Sequence, residues 1–206
     1  MLVLTACGTV VSNPTALSDL QNITERCVRP RPDFNISILT SYHRFRFSDV
    51  FAFSEAGLDP QRIVPFINEF ALDVLVTGRP TTTALPMILS NTSTGRYTGI
   101  VHLTPSTSGV VAEWFEWFHH SQRPNGQKLP IQCPRCRAYR SWVIPSKRPK
   151  RYNENLEFRC ITKGCTEVCR VRQLKEFIPL PIGLTTGSWF FKKLVKPRSL
   201  SVTPHP

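Results

Sequence analysis

The chain has 206 residues, 41% of them hydrophobic, which is enough for a packed core and argues against wholesale disorder. Its formal charge of +12 is uneven: residues 1–120 carry 8 Lys/Arg and 10 Asp/Glu, whereas residues 121–206 carry 18 Lys/Arg and 4 Asp/Glu. No stretch holds the roughly 18 consecutive apolar residues of a membrane-spanning helix, so no helical span and no membrane partner are expected.

Leu2 to Thr5 reads as a short buried strand that starts almost at the first residue. A fold rarely opens on a core strand, so the chain reads as a fragment of something longer. Leu4-Thr5-Ala6-Cys7 is similar to a lipoprotein cleavage box, but it lacks the basic start and the apolar stretch of about 7–15 residues that a signal peptide needs. The expected location is intracellular, nuclear or cytoplasmic. Asn13-Pro14 predicts a helix N-cap with proline in the first turn, and Leu17, Leu20 and Ile23 follow at helical spacing.

Ile36 to Leu39 and Asp49 to Phe53 read as strands, the second in Val50-Phe51-Ala52-Phe53. Asp59-Pro60 starts a second helix, with Ile63, Phe66, Ile67, Phe70 and Val74 on one face, a kink at Pro65 and a stop at Gly78. A short helix around 82–90 and a strand from Tyr97 to Leu103 come next. Val110, Val111, Trp114, Phe115 and Phe118 suggest an amphipathic helix that ends at His119-His120, where cationic side chains suit the helix dipole. Strands alternating with helices predict an α/β layer domain over residues 1–120. The composition then turns basic and Pro/Gly-containing, which predicts a linker at 121–128, a small β-rich module at 129–196 and a disordered tail at 197–206.

Five of the seven cysteines fall between 133 and 169, a clustering that suits a metal site better than a disulfide framework. In Cys133-Pro-Arg-Cys136 two thiolates on one tight turn can face a single ion. Cys160-Ile-Thr-Lys-Gly-Cys165 is a longer half-site, in which Gly164 can take the left-handed backbone a turn requires. Tyr139, Trp142, Val143 and Ile144 would form one strand of a zinc ribbon, and Leu156 to Arg159 its partner. Four thiolates predict a structural zinc ion, with Cys133, Cys136, Cys160 and Cys165 as ligands and Cys169 as the substitute for Cys165.

Lys147, Arg148, Lys150 and Arg151 lie between the half-sites, in a run that suits phosphate contact or nuclear localisation. The basic half therefore points to a nucleic acid or a protein as partner. Trp142 and Tyr152 would either stack on bases or fill the ribbon core.

The opening Met1-Leu-Val-Leu-Thr-Ala-Cys7-Gly-Thr9 resembles the nucleophile strand of caspase-fold peptidases of the CHAT type. The likeness extends over roughly residues 1–103, through the strand at 50–53 and the two helices after it. It implies a partial caspase-like domain with Cys7 as the candidate nucleophile. That family places its general-base histidine before the cysteine, whereas here His43, His102, His119, His120 and His205 all follow Cys7. The expected function is accordingly non-enzymatic. The alternative is the C-terminal part of a cysteine peptidase whose histidine lies upstream. The whole chain also resembles a family of uncharacterised proteins from mushroom-forming fungi, a likeness that implies no activity.

Overall fold

A computed structural model describes residues 13–28, 48–55, 57–106, 109–143, 155–172, 174–180 and 187–194. The expected strands at 2–5 and 36–39 lie outside the described residues, as do Cys7, His43, His205, Tyr152 and the basic run Lys147, Arg148, Lys150 and Arg151. The chain is mixed α/β. In chain order the elements are α1 (Pro14–Val28), β1 (Val50–Phe53), α2 (Val64–Phe70), α3 (Thr81–Asn91), β2 (Ile100–Ser106), β3 (Gly109–Phe118), β4 (Trp142–Val143), β5 (Leu156–Cys160), β6 (Val168–Val171), β7 (Ile178–Pro179) and β8 (Ser188–Leu194). One sheet has the strand order β1-β2-β3-β8-β7 and the other the order β4-β5-β6. Among the described residues no helix is long and apolar enough to cross a membrane.

The helix starts follow from local chemistry. Asn13 Oδ1 accepts hydrogen bonds from the backbone N–H groups of Thr15 (2.9 Å) and Ala16 (3.3 Å), which caps α1. Asp59 does the same for Gln61 at 3.0 Å, and a short 3-10 turn, Pro60–Arg62, leads into α2. Pro65 falls in the first turn of α2, where its missing N–H costs nothing. The helix continues through a π-helical stretch, Ala71–Val76, and Gly78 (φ +70°) ends it.

The chain forms two compact units. Of the described residues, the first takes 13–28, 48–55, 101–106, 109–114 and 193–194. Its core joins Leu20 of α1 to Val50, Ala52, Val101, Leu103 and Ala112 of the strands. Of the described residues, the second takes 57–100, 115–143, 155–172, 174–180 and 187–192. In it Phe66 and Phe70 of α2 are buried with Leu85, Ile88 and Leu89 of α3. The Trp189 indole N–H of β8 donates to the Leu89 carbonyl at 2.8 Å and ties that strand to α3. Gly95 permits this packing, because a Cβ there would lie 2.5 Å from the Trp189 ring.

One expectation is corrected. Residues 109–118 are a strand, β3, and not a helix. Val110, Val111, Trp114, Phe115, Trp117 and Phe118 are β-branched or aromatic and favour extended backbone. The strand has buried positions on both of its sides, such as Trp117 and Phe118, so the alternation that would reveal a strand is absent. His119 and His120 therefore follow a strand, and His119 closes a tight turn by exchanging backbone hydrogen bonds with Arg123 at 3.0 and 3.1 Å. Within the expected linker Arg123, Pro124, Asn125 and Gly126 are buried. β7 and β8, which fall within the expected 129–196 module, belong to the five-stranded sheet.

Candidate metal centre

The small sheet is antiparallel throughout. Trp142 and Val143 of β4 pair with Cys160 and Arg159 of β5, and Leu156 to Arg159 pair with Val171 to Val168 of β6. Directly opposed residues share a face. Leu156, Phe158 and Val171 form a buried core with Leu129, Trp142 and Cys169 packed against it. Trp142 thus fills the core, and its indole N–H donates to the Pro130 carbonyl at 2.7 Å. Cys169 stands opposite Phe158 in that core.

Two turns bring the other four cysteines together. In the first, Gln132 bridges to Tyr139, and Cys133 N–H donates to the Ala138 carbonyl at 2.9 Å. Arg137 N–H returns to the Cys133 carbonyl at 2.9 Å, so the chain reverses across Pro134, Arg135 and Cys136. In the second, Cys160 N–H donates to the Glu167 carbonyl at 3.1 Å and Cys165 N–H to the Thr162 carbonyl at 2.9 Å. Gly164 takes φ +80° there without a steric penalty. Ile161 N–H donates to the Ser141 carbonyl at 2.7 Å, and the Arg135 guanidinium reaches the Thr166 hydroxyl, joining the two turns.

The Sγ atoms of Cys133, Cys136, Cys160 and Cys165 all lie within 4.8 Å of one another. Cys133 and Cys165 sulfurs are 3.7 Å apart, and Cys136 and Cys160 sulfurs 3.6 Å apart. A disulfide requires about 2.05 Å, so these are not disulfide contacts. A tetrahedron with metal–sulfur bonds of about 2.3 Å has edges near 3.8 Å, which the two short separations approach closely. The donor set and its geometry are compatible with a metal ion such as zinc. The geometry selects Cys165, since Cys169 is not among the converging sulfurs.

Neighbouring hydroxyls were not part of the sequence-based site. Ser141 Oγ lies 3.2 Å and Thr162 Oγ1 3.4 Å from Cys160 Sγ. Ser141 first, and then Thr162, pull the Cys160 thiol down to about 6. The Cys136 thiol is also lowered, chiefly by the Ala138 backbone and the Thr162 hydroxyl. At Cys165 the Glu167 backbone pulls downward, but burial and the three neighbouring thiols outweigh it and push the group up to about 12. Within one cluster, Cys160 and Cys136 are thus held low and Cys165 high. Zinc binding to the metal-free chain should therefore release fewer than four protons per ion, measured by calorimetry in buffers of different ionisation enthalpy. Lowering the pH through about 6 should raise the proton count and weaken binding, and Ser141→Ala should raise the count at pH 7.5.

The histidines fall elsewhere. His102 Nε2 lies 2.8 Å from Asp49 Oδ1 and 3.2 Å from Thr104 Oγ1, and its ring stacks on Phe51 at 4.6 Å. His119 accepts from the Ser121 and Gln122 N–H groups at Nδ1 and stacks on Trp117 at 5.2 Å. Burial first, then His120 and Arg96, lower its basicity. Comparison with known proteins finds no matching family model, no matching curated protein and no matching solved structure.

Proposed function

We propose that this chain is a non-enzymatic module in which a structural zinc ion closes a ribbon around β4, β5 and β6, and that its basic C-terminal half binds nucleic acid. The observation that carries the reading is the convergence of four cysteine sulfurs within 4.8 Å, with pair separations near a tetrahedral edge. Four protein thiolates leave no open position for substrate or water, so the ion would act on folding and not on chemistry. The net charge of residues 121–206, with 18 Lys/Arg against 4 Asp/Glu, supports a polyanionic partner.

The test uses freshly purified, reduced protein. About one zinc per chain is expected. The zinc-loaded protein should bind labelled oligonucleotides at low salt, with log K falling against log[salt] at a slope of about −3 to −4 for roughly four phosphate contacts. Changing Lys147, Arg148, Lys150 and Arg151 to alanine should flatten that slope and leave the zinc in place. Protein that is free of zinc, or that has no affinity for any oligonucleotide at low salt, would refute the corresponding half of the reading.

A further inference from the structure

The first cysteine turn carries an unusual combination of exposed groups. Arg135, Arg137, Tyr139 and Arg140 are all exposed, and Tyr139 retains 66% of its accessible surface. The side chains of Arg137, Tyr139 and Arg140 make no hydrogen bond or ion pair among the described residues. Tyr139 bridges to Gln132 and so does not fill the ribbon core that Trp142 occupies. Lys163, also exposed, sits on the second turn between Cys160 and Cys165.

The backbone adds an independent argument. Arg137 has φ +63° and Arg140 φ +46°, both in the left-handed region that glycine enters freely and other residues enter at a cost. Glycine at either position would relieve the strain and lose the charge. The fold instead holds arginine there, fixed by hydrogen bonds from Arg137 N–H to the Cys133 carbonyl and from Arg140 N–H to the Ile131 carbonyl. Residues 131–140 and 160–170 together contain five basic side chains and one acidic side chain. A zinc ion with four thiolates carries a net charge of −2, and this basic set exceeds it.

We propose that the Cys133–Arg140 turn is a single-strand nucleic-acid site, in which Tyr139 stacks on one unpaired base while Arg137, Arg140 and Lys163 hold the flanking phosphates. An acidic peptide would satisfy the guanidinium groups and leave the exposed phenol face unused, whereas a nucleotide offers both a phosphate and a flat ring. Duplex bases are already stacked and present only their edges. The turn has no helix to enter a groove, so the unpaired strand is the ligand that fits. This site rests on the reading of the basic half as nucleic-acid binding and places its stacking contact on the metal-held turn.

Fluorescence anisotropy of zinc-loaded full-length protein, with labelled oligo-dT, oligo-U and duplex DNA of equal length, tests it. Tyr139→Ala should weaken single-strand binding between about 5- and 150-fold, the range for one lost stacked base, while Tyr139→Phe retains it. Arg137→Gly should keep its zinc and melt no lower than the parent, yet weaken binding and flatten the salt slope by about 1. The parent should prefer single strands to duplex. Unchanged binding by Tyr139→Ala or Arg137→Gly, or duplex bound as tightly as single strand, would overturn the site. Unchanged Tyr139→Ala binding combined with loss in the Lys147, Arg148, Lys150 and Arg151 variant would assign the affinity to that basic run. Failure of the parent to bind any oligonucleotide would instead defeat the broader nucleic-acid reading.

Discussion

Cys160→Ser is expected to strip the metal from the chain and unfold the β4-β5-β6 sheet. Cys160 ends β5, pairs with Trp142 and holds one corner of the sulfur cluster, so on the proposed reading the change removes a ligand at the end of the sheet. The apolar core beneath is small: Leu156, Phe158 and Val171 are its buried members. Their burial is worth about 5–9 kcal/mol at most, against about 10–16 kcal/mol for structural zinc in small modules. The sheet should therefore lose its protection when the ion leaves, seen as a fall from about one zinc per chain to background and as fast amide exchange at Phe158 and Val171. Cys169→Ser is the matched control. Cys169 faces Phe158, so that variant should lose some packing and keep its zinc. Zinc retained by Cys160→Ser, or lost from Cys169→Ser, would contradict the ligand assignment.

What could be read from sequence was set by how local each interaction is. The Cys133 and Cys136 pair depends on one turn, and Asn13, Asp59 and Gly78 act within a few residues of themselves. Their residue types therefore report the structure directly. Choosing between Cys165 and Cys169 needed strand register, because only pairing with β5 places Cys169 opposite Phe158. The Ser141 contact with Cys160 spans 19 residues and leaves no pattern in either segment. β3 was misread because its apolar residues at 110, 111, 114, 115 and 118 fit a helical period, while burial on both sides of the strand hides the two-residue alternation. The sharpest part of the caspase-like resemblance, Cys7 and its short strand, lies outside the described residues.

Arg123→Ala is expected to be the most destabilising single change outside the cysteines. Read from sequence, Arg123 was one more cation in a polar, Pro- and Gly-containing linker. In the fold it is 5% exposed and forms an ion pair with Glu116 of β3 at 2.5 Å. Its Nε and one terminal nitrogen donate to the Gly126 carbonyl at 3.1 and 2.8 Å, and its other terminal nitrogen donates to the Gly95 carbonyl at 3.2 Å. The guanidinium thus joins β3, the 124–126 turn and the segment after α3. Gly126 is required by the same arrangement, since a Cβ there would lie 2.4 Å from Glu116 Cγ. Removing one partner of a buried pair leaves an uncompensated charge, at a cost of about 3–5 kcal/mol. For a chain of this size that corresponds to a fall in Tm of about 6–20 °C. Arg123→Lys should recover little, because an ammonium group cannot reproduce the guanidinium fork across two carbonyls and a carboxylate. Removing both charges as Glu116→Gln with Arg123→Met should cost less than Arg123→Ala alone, because no buried charge is then left unpaired. Thermal melts of the four zinc-loaded proteins decide the matter. A double variant that melts below Arg123→Ala, or an Arg123→Ala protein that melts with the parent, would show that the pair does not hold this unit together.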